Sequence, residues 1–312
     1  MTDFELRQPY ADLPTASVPW DEELGPQPDA GAVVWELGAG EWYDDGFETI
    51  GECFDWFFEH VDTAKVRAIV IGEWGESYAE DSGPIVSRLA EEAARLPELR
   101  HLFLGDISSD QAEISWIQQS DVTPLLEAYP GLEVLEVRGG SGLRLRPVRH
   151  ESLRMLRIES GGLPGEVVRA VGDSDLPALE HLELWLGVSH YGGDATVDDC
   201  AAILSGERLP RLRYLGLQDS EIADELAAAV AGAPVVARLE TLSLAMGTLG
   251  DEGAEALLSG QPLTHLGMLD LQHHFLSKAT AARVRAALPG VEVNLSDALQ
   301  ERYGSAYVAV SE

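Results

Sequence analysis

Apolar residues recur along this chain in a fixed pattern, in which a leucine is followed three and five residues later by further aliphatic residues. Seven copies are clear: Leu99/Leu102/Leu104, Leu132/Leu135/Val137, Leu153/Leu156/Ile158, Leu179/Leu182/Leu184, Leu212/Leu215/Leu217, Leu239/Leu242/Leu244 and Leu266/Leu269/Leu271. A degenerate copy, Val66/Ile69/Ile71, precedes them, and a shortened copy, Val291/Val293/Leu295, follows. Counted from the degenerate copy, successive copies begin 33, 33, 21, 26, 33, 27 and 27 residues apart. A repeat of this length cannot bury its apolar face alone, so the copies are expected to stack.

Each copy predicts a β-strand, because alternate side chains of a strand share one face and the last two aliphatic residues then point together into the core. Between the strands, apolar residues at helical spacing predict helices over 222–230 and 196–204, the second with Thr196 as its N-cap. Neighbouring parallel strands need a crossover connection, which a helix provides. The predicted fold is therefore α/β: a right-handed βα solenoid with a parallel concave sheet and helices on the convex side.

The leucine spacing over residues 66–295 resembles that of the leucine-rich-repeat proteins, in the ribonuclease-inhibitor-like style with long, helix-containing repeats. The segments ISWIQQSDVTPLLEAYPGLE, SGGLPGEVVRAV and YGGDATVDD resemble more closely an uncharacterised family of bacterial leucine-rich-repeat proteins. The resemblance implies a horseshoe-shaped solenoid and a scaffold or accessory role. The chain departs from the family in one column: where typical repeats carry Asn or Cys after the strand, it has Ile107, Gly140, Gly161, Gly187, Ser220, Gly247 and His274.

The repeats divide the chain into four parts. Residues 1–30 are acidic and Pro-rich and are interpreted as an N-terminal arm of irregular structure. Residues 31–65 predict a cap, with a strand near 33–37 and an amphipathic helix over 47–61. The solenoid covers residues 66–297, and residues 298–312 form a C-terminal tail.

Charge changes the picture of possible partners. The chain has 54 acidic and 21 basic residues, a net charge of −33, which disfavours nucleic acid and anionic membranes as partners. Residues 1–60 hold 15 acids and one base, Arg7. Six arginines against one acid, Glu151, form an arginine island: Arg138, Arg144, Arg146, Arg149, Arg154 and Arg157. The island either pairs with the acidic N-terminal region of its own chain or binds an external anion, and the sequence leaves both open.

The compartment is predicted from what the sequence contains. Its two cysteines, Cys53 and Cys200, are far apart, which fits a reducing environment. The first residues have neither a basic nor an apolar leader region, and no stretch is long and apolar enough to span a membrane. We therefore expect a cytoplasmic protein that binds neither membrane nor nucleic acid.

A search for chemistry yields weak candidates. No H-E-x-x-H or C-x-x-C occurs, and the glycines after Arg138 fit a tight turn better than a phosphate-binding loop. His274 occupies the turn column, which predicts a structural role. Asp194, Asp198 and Asp199 suit either a divalent metal or a helix start. We expect no catalysis, cofactor or metal; the alternatives are a metal-dependent enzyme or small-anion binder that uses the 190–199 loop or the 138–157 island, and a structural subunit of an enzyme complex.

The side chains on the concave face are the best functional candidates. The strand positions that point away from the core mix aromatic, charged and amide groups, the composition of protein-binding hot spots. The sequence therefore predicts a non-catalytic scaffold that binds a protein or peptide on this face. The candidate binding residues are His101, Phe103, Arg138, Met155, Arg157, His181, Glu183, Trp185, Tyr214 and Gln218.

Overall fold

The structure is a computed structural model, and it describes residues 13–19, 26–40 and 46–312. An eleven-stranded sheet contains strands that are all parallel and follow one another in chain order. The strands are β1 (Thr15–Ser17), β2 (Val34–Ala39), β3 (Ala68–Trp74), β4 (His101–Leu104), β5 (Val134–Arg138), β6 (Met155–Glu159), β7 (His181–Gly187), β8 (Tyr214–Ser220), β9 (Thr241–Ser243), β10 (Met268–Asp270) and β11 (Glu292–Asn294). The helices are α1 (Ile50–His60), α2 (Gly83–Glu91), α3 (Thr123–Ala128), α4 (Gly165–Asp173), α5 (Ala201–Ser205), α6 (Ala223–Val230), α7 (Asp251–Ser259) and α8 (Lys278–Ala287).

The leucine pattern fixes the register of the sheet. The middle aliphatic residue of each copy pairs with its equivalent in the next strand, and the row continues into β1 and β2. It runs Ala16, Trp35, Ile69, Leu102, Leu135, Leu156, Leu182, Leu215, Leu242, Leu269 and Val293. All but Val293 are buried. Because burying one such side chain contributes roughly 2 kcal/mol, a shift of register would expose the whole row and cost many times that amount.

Helices cover the other side of this core, as the repeat pattern predicts. Neighbouring helices pack in pairs along the chain, for example α6 against α7 and α7 against α8. α1 begins with a capping box, in which Thr49 Oγ1 accepts from the Glu52 N–H at 3.3 Å and the Glu52 carboxylate accepts from the Thr49 N–H at 3.2 Å. The buried ring of Phe57 packs edge-on against Trp35 at 5.8 Å. The α/β solenoid predicted from the sequence is confirmed.

The sheet extends further towards the N-terminus than the leucine pattern indicates. Thr15–Ser17 forms β1, so the interpretation of residues 1–30 as an arm of irregular structure is wrong at this point. The rest of that arm lies partly outside the described residues. The strand was missed because three residues with one apolar side chain show no alternation. The described part of the chain contains no helix long and apolar enough to cross a membrane.

Two connections differ from the expected helical crossover. In the first, Thr196 does not act as an N-cap: its N–H and hydroxyl both donate to the Asp199 carboxylate at 2.7 Å, and a 3₁₀ turn leads into the short α5. The second connection, residues 139–154 between β5 and β6, contains no helix. Its backbone is extended and bridges to both neighbouring connections, at Asp121 to Arg144 and at Arg149 to Asp175. The 21-residue spacing of this repeat is too short for the helix that the others contain.

Candidate functional site

The concave face carries its side chains in three columns, because the parallel register places equivalent residues of successive strands side by side. The central column contains Phe103, Glu136, Arg157, Glu183, Gly216, Ser243 and Asp270. Strands in a sheet lie about 4.8 Å apart. Each of these side chains is therefore within contact distance of the next.

Opposite charges alternate along this central column. Arg157 is half-buried between three carboxylates: it lies 3.3 Å from Glu136 Oε2 and 3.4 Å from Glu183 Oε1, and it also pairs with Glu159. Arg138 pairs with the second oxygen of Glu159 at 2.6 Å. We call these five residues the ionic ladder. The side chains of Glu136 and Glu159 are only 3% and 1% exposed, so the two arginines are required to compensate buried charge.

Burial and ion pairing have opposite effects on the pKa values of two ladder residues, Arg157 and Glu183. Burial alone would lower the pKa of Arg157, but Glu159, Glu183 and Glu136 hold it above its ordinary value. Burial alone would likewise raise the pKa of Glu183, but the His181 hydrogen bond and the charge of Arg157 hold it below its ordinary value. Arg157 and Glu183 are therefore both charged at neutral pH.

Aromatic side chains lie on both sides of the ladder. Trp185 is half-buried, and its indole N–H donates to Glu183 Oε1 at 2.9 Å. Phe103 is also half-buried, and the Arg138 guanidinium lies 5.6 Å from the centre of its ring. Both rings are held in place by charged groups while part of each surface faces solvent. This arrangement suits contact with a partner.

The predicted binding residues differ in how far their side chains are exposed. Phe103, Arg138, Arg157, Glu183, Trp185 and Tyr214 are half-buried, whereas His101, Met155, His181 and Gln218 are buried. Three of the buried residues hold their neighbours in position: the His101 imidazole bonds to Glu136 at 2.8 Å, and the His181 ring stacks on Tyr214 with centroids 3.9 Å apart. The Gln218 amide donates to the Tyr214 hydroxyl at 2.7 Å. They reach a partner only through these neighbours.

Five of the six arginines of the island, all but Arg144, pair with described carboxylates. Besides the ladder contacts, Arg146 pairs with Asp121 and Glu127, Arg149 with Glu151 and Asp175, and Arg154 with Glu180. Arg138 also lies 3.8 Å from Asp106. None of these partners belongs to the described part of the N-terminal region that the sequence offered as the intramolecular alternative, and most acids of that region lie outside the described residues. The carboxylates come instead from neighbouring strands and loops, which repeat stacking brings together.

His274 has the structural role predicted for it. It is buried, and its Nδ1 accepts from the Leu276 N–H at 3.1 Å, which closes the turn after β10. The glycines after Arg138 form the predicted tight turn, with φ of +106° at Gly139 and +73° at Gly142.

Two of the three carboxylates of the 190–199 loop are occupied by hydrogen bonds within the chain, and Asp198 is exposed. Asp194 accepts from the Gly165 N–H at 2.6 Å, and Asp199 accepts from Thr196 and pairs with Arg169. Among the described residues, no group of three or more His, Cys, Asp or Glu side chains is placed to hold a metal ion. The geometry of this loop is that of a helix start.

The buried acids that were not among the candidate residues include Glu136, Glu159 and Asp219. The first two occupy concave strand positions next to Arg157 and Arg138 in the register. The sequence places acids and bases at equivalent positions of successive repeats, and this pattern could have indicated the ion pairs of Glu136 and Glu159. Asp219 follows the last concave position of β8, and nothing in the local sequence indicates its burial.

These features define the class of the protein as a leucine-rich-repeat α/β solenoid with a charged and aromatic concave face. The chain is similar to a Bacteroides fragilis protein of known crystal structure, with 32% identity, a TM-score of 0.75, and coverage of 82% of this chain and 72% of that chain. It therefore belongs to the same protein family as the Bacteroides fragilis protein. An internalin from Listeria monocytogenes also matches, with 16% identity over 73% of this chain and 72% of that one, but a TM-score of 0.27. No protein-family model and no curated protein matches the chain.

Proposed function

We propose that this protein is a non-catalytic scaffold of the leucine-rich-repeat family that binds a protein or peptide on its concave face. The observation that carries the proposal is the ionic ladder with Trp185 and Phe103 fixed beside it. Solenoids use such faces as extended binding surfaces, and partly exposed aromatic rings supply most of the binding energy in protein interfaces.

The charge of the face favours a partner with mixed polarity. Within the ladder, three glutamates face two arginines, so the face carries a small excess of negative charge. A partner is expected to place an apolar side chain against Trp185 or Phe103 and basic or amide groups over the carboxylates. Because the ladder is already ordered, binding costs little side-chain entropy on this side of the interface.

The structure changes how the site has to be tested. An alanine at Arg157 would leave Glu136 and Glu159 buried without compensation, so its loss of binding would not be separable from a loss of stability. The half-exposed rings are better targets. The double substitution Phe103→Ala, Trp185→Ala removes both rings and leaves both arginines in place.

The experiment is affinity capture from native lysate with wild type and the double variant, with bound proteins identified by mass spectrometry. The matched control is Trp116→Ala, which removes a ring of the same kind that is 53% exposed and lies off the concave face. At about 2 kcal/mol for each ring, the double variant should lose at least 100-fold in affinity for a specific partner. Equal recovery of the same partners by wild type and both variants would refute the assignment of this face.

A further inference from the structure

Three successive strands have, at or just beyond their carboxyl ends, a residue other than glycine with a positive φ angle. Asp219, near the end of β8, and Met246 and His273, which follow β9 and β10, occupy equivalent register positions, and their φ angles are 51°, 69° and 59°. Positive φ is unfavourable for residues other than glycine, so the surrounding structure has to hold it. The three residues form a row along the carboxyl edge of the sheet, beside the concave face.

Residues 307–312, which we call the edge segment, lie along this row in the direction opposite to the order of the strands. The row contacts mainly the backbone of the segment. The hydrogen bonds are His273 Nε2 to the Tyr307 carbonyl (2.9 Å), the Ala309 N–H to the Met246 carbonyl (2.8 Å) and the Val310 N–H to Asp219 Oδ1 (2.9 Å). Recognition through main-chain groups accepts many sequences, as in domains that bind extended peptides along a sheet edge.

Three side chains of the edge segment make contacts that are specific for their chemistry. The Tyr307 ring packs edge-on against the rings of His273 and Phe275, with centroids 5.6 Å and 5.4 Å apart. Val308 is 8% exposed, and four residues later the Glu312 carboxylate accepts a hydrogen bond from the Tyr191 hydroxyl. An apolar side chain and a carboxylate at this spacing are therefore the features that the edge selects.

The groove has more room than the edge segment fills. A cavity of about 550 Å³ lies between the loops after β7, β8 and β9, which contribute Tyr191, Glu221 and Thr248, and the C-terminal residues 302–311, which contribute Tyr303, Tyr307 and Val308. A bound chain with larger side chains than those of 307–312 fits this space.

We propose that the carboxyl edge of β7–β10 is a second peptide-binding groove, which takes an extended segment with an apolar side chain followed four residues later by a carboxylate. Residues 307–312 occupy it as a displaceable intramolecular ligand. Because a tethered segment acts at an effective concentration on the order of millimolar, it masks the groove against external peptides of moderate affinity. The groove is separate from the concave face, so this proposal does not depend on the function proposed above.

The test uses the full chain with the double substitution Val308→Asp, Val310→Pro. The first change places a charge in the apolar contact, and the second removes the N–H that Asp219 accepts. The probe is a fluorescent synthetic peptide with the sequence of residues 306–312, followed by anisotropy, and hydrogen exchange at the Ala309 amide reports whether the segment has left the row. The control is Tyr78→Ala, which alters an exposed side chain that does not line the cavity.

The double variant should exchange the Ala309 amide rapidly and bind the peptide at least 10-fold more tightly than wild type or the control. A peptide with proline at the position of Val310, or with a scrambled sequence, should not bind. Rapid exchange without peptide binding, or equal binding of the scrambled peptide, would overturn the proposal. Continued protection of Ala309 would overturn it as well, because the segment would then be a fixed part of the fold.

Two further variants keep the test interpretable. If the double variant does not fold, Val310→Pro alone releases only the hydrogen bond and takes its place. Adding Phe103→Ala and Trp185→Ala to the released variant should leave peptide binding unchanged. A loss of peptide binding there would show that the peptide binds the concave face, which contradicts a separate groove.

Discussion

Replacing Asp219 with asparagine should increase the free energy of unfolding by a larger amount at pH 8 than at pH 5. Asp219 is fully buried, and burial raises the pKa of its carboxyl from 3.8 to about 7, although the backbone N–H groups of Val310 and Ala309 partly oppose this shift. One of its carboxylate oxygens accepts the Val310 N–H, and the other has no hydrogen-bond partner. Asparagine keeps an acceptor for Val310 and cannot become charged.

The sign follows from the raised pKa. Between pH 3.8 and about 7 the folded protein retains a proton that the unfolded chain has already lost, so stability decreases as pH rises through this window and then stays level. One pH unit in this window changes the free energy of unfolding by about 1.4 kcal/mol. The free energy of unfolding of wild type should therefore fall by roughly 3 kcal/mol between pH 5 and pH 7 because of Asp219 alone. The asparagine variant lacks that loss. Any fixed cost of the amide is the same at both pH values and cancels in the comparison.

The assay is chemical and thermal unfolding of wild type and Asp219→Asn at pH 5 and pH 8. The difference between the two proteins should grow by roughly 3 kcal/mol from the lower to the higher pH, or on the order of 5 °C in Tm for a chain of this size. The control is Asp198→Asn, which removes the same charge from an exposed position. A difference between wild type and Asp219→Asn that does not change with pH would refute the claim that Asp219 is buried with a raised pKa.

Three further substitutions test the fold. Arg157→Ala should lower the free energy of unfolding by about 3–5 kcal/mol in urea titration, because it leaves buried carboxylates unpaired. The control is Arg154→Ala, which removes a side chain that is 51% exposed and should cost less than about 1 kcal/mol. Equal losses for the two variants would contradict the burial of the ladder. Leu215→Ala, in the central row of the core, should cost about 2–5 kcal/mol by the same titration, and a loss below about 1 kcal/mol would argue against the predicted register. Thr49→Ala removes one half of the capping box and should cost about 1 kcal/mol, with Thr49→Ser as the variant that restores it.

The sequence predicts the solenoid well because its strongest signal is long-range and repeated. Leu102 and Leu269 belong to the same row of the core although they lie far apart in the chain, and the pattern alone places them there. β1 escapes prediction because three residues show no period, and the connection between β5 and β6 departs from the helical rule because its repeat is short.

The concave face is predicted in position but not in burial. The residues at the strand positions follow from alternation, yet His181 and Met155 are buried by neighbours in adjacent strands, which a reading of one repeat at a time does not show. The edge segment is the part furthest from prediction. Its bonds depend on the positive φ of Asp219 and Met246, and both residues ordinarily avoid that conformation.

The helix-free connection between β5 and β6 has a consequence for the shape of the binding surface. A helix is about 10 Å wide, whereas strands are spaced by about 4.8 Å, so a repeat with a helix is a wedge that turns the next strand inwards. The extended connection of this repeat is about as wide as a strand. We therefore expect the angle between β5 and β6 to be close to zero. Glu136 and Arg157, the middle of the ionic ladder, lie on the two strands that it joins. We therefore expect the most highly charged part of the concave face to be its flattest part as well.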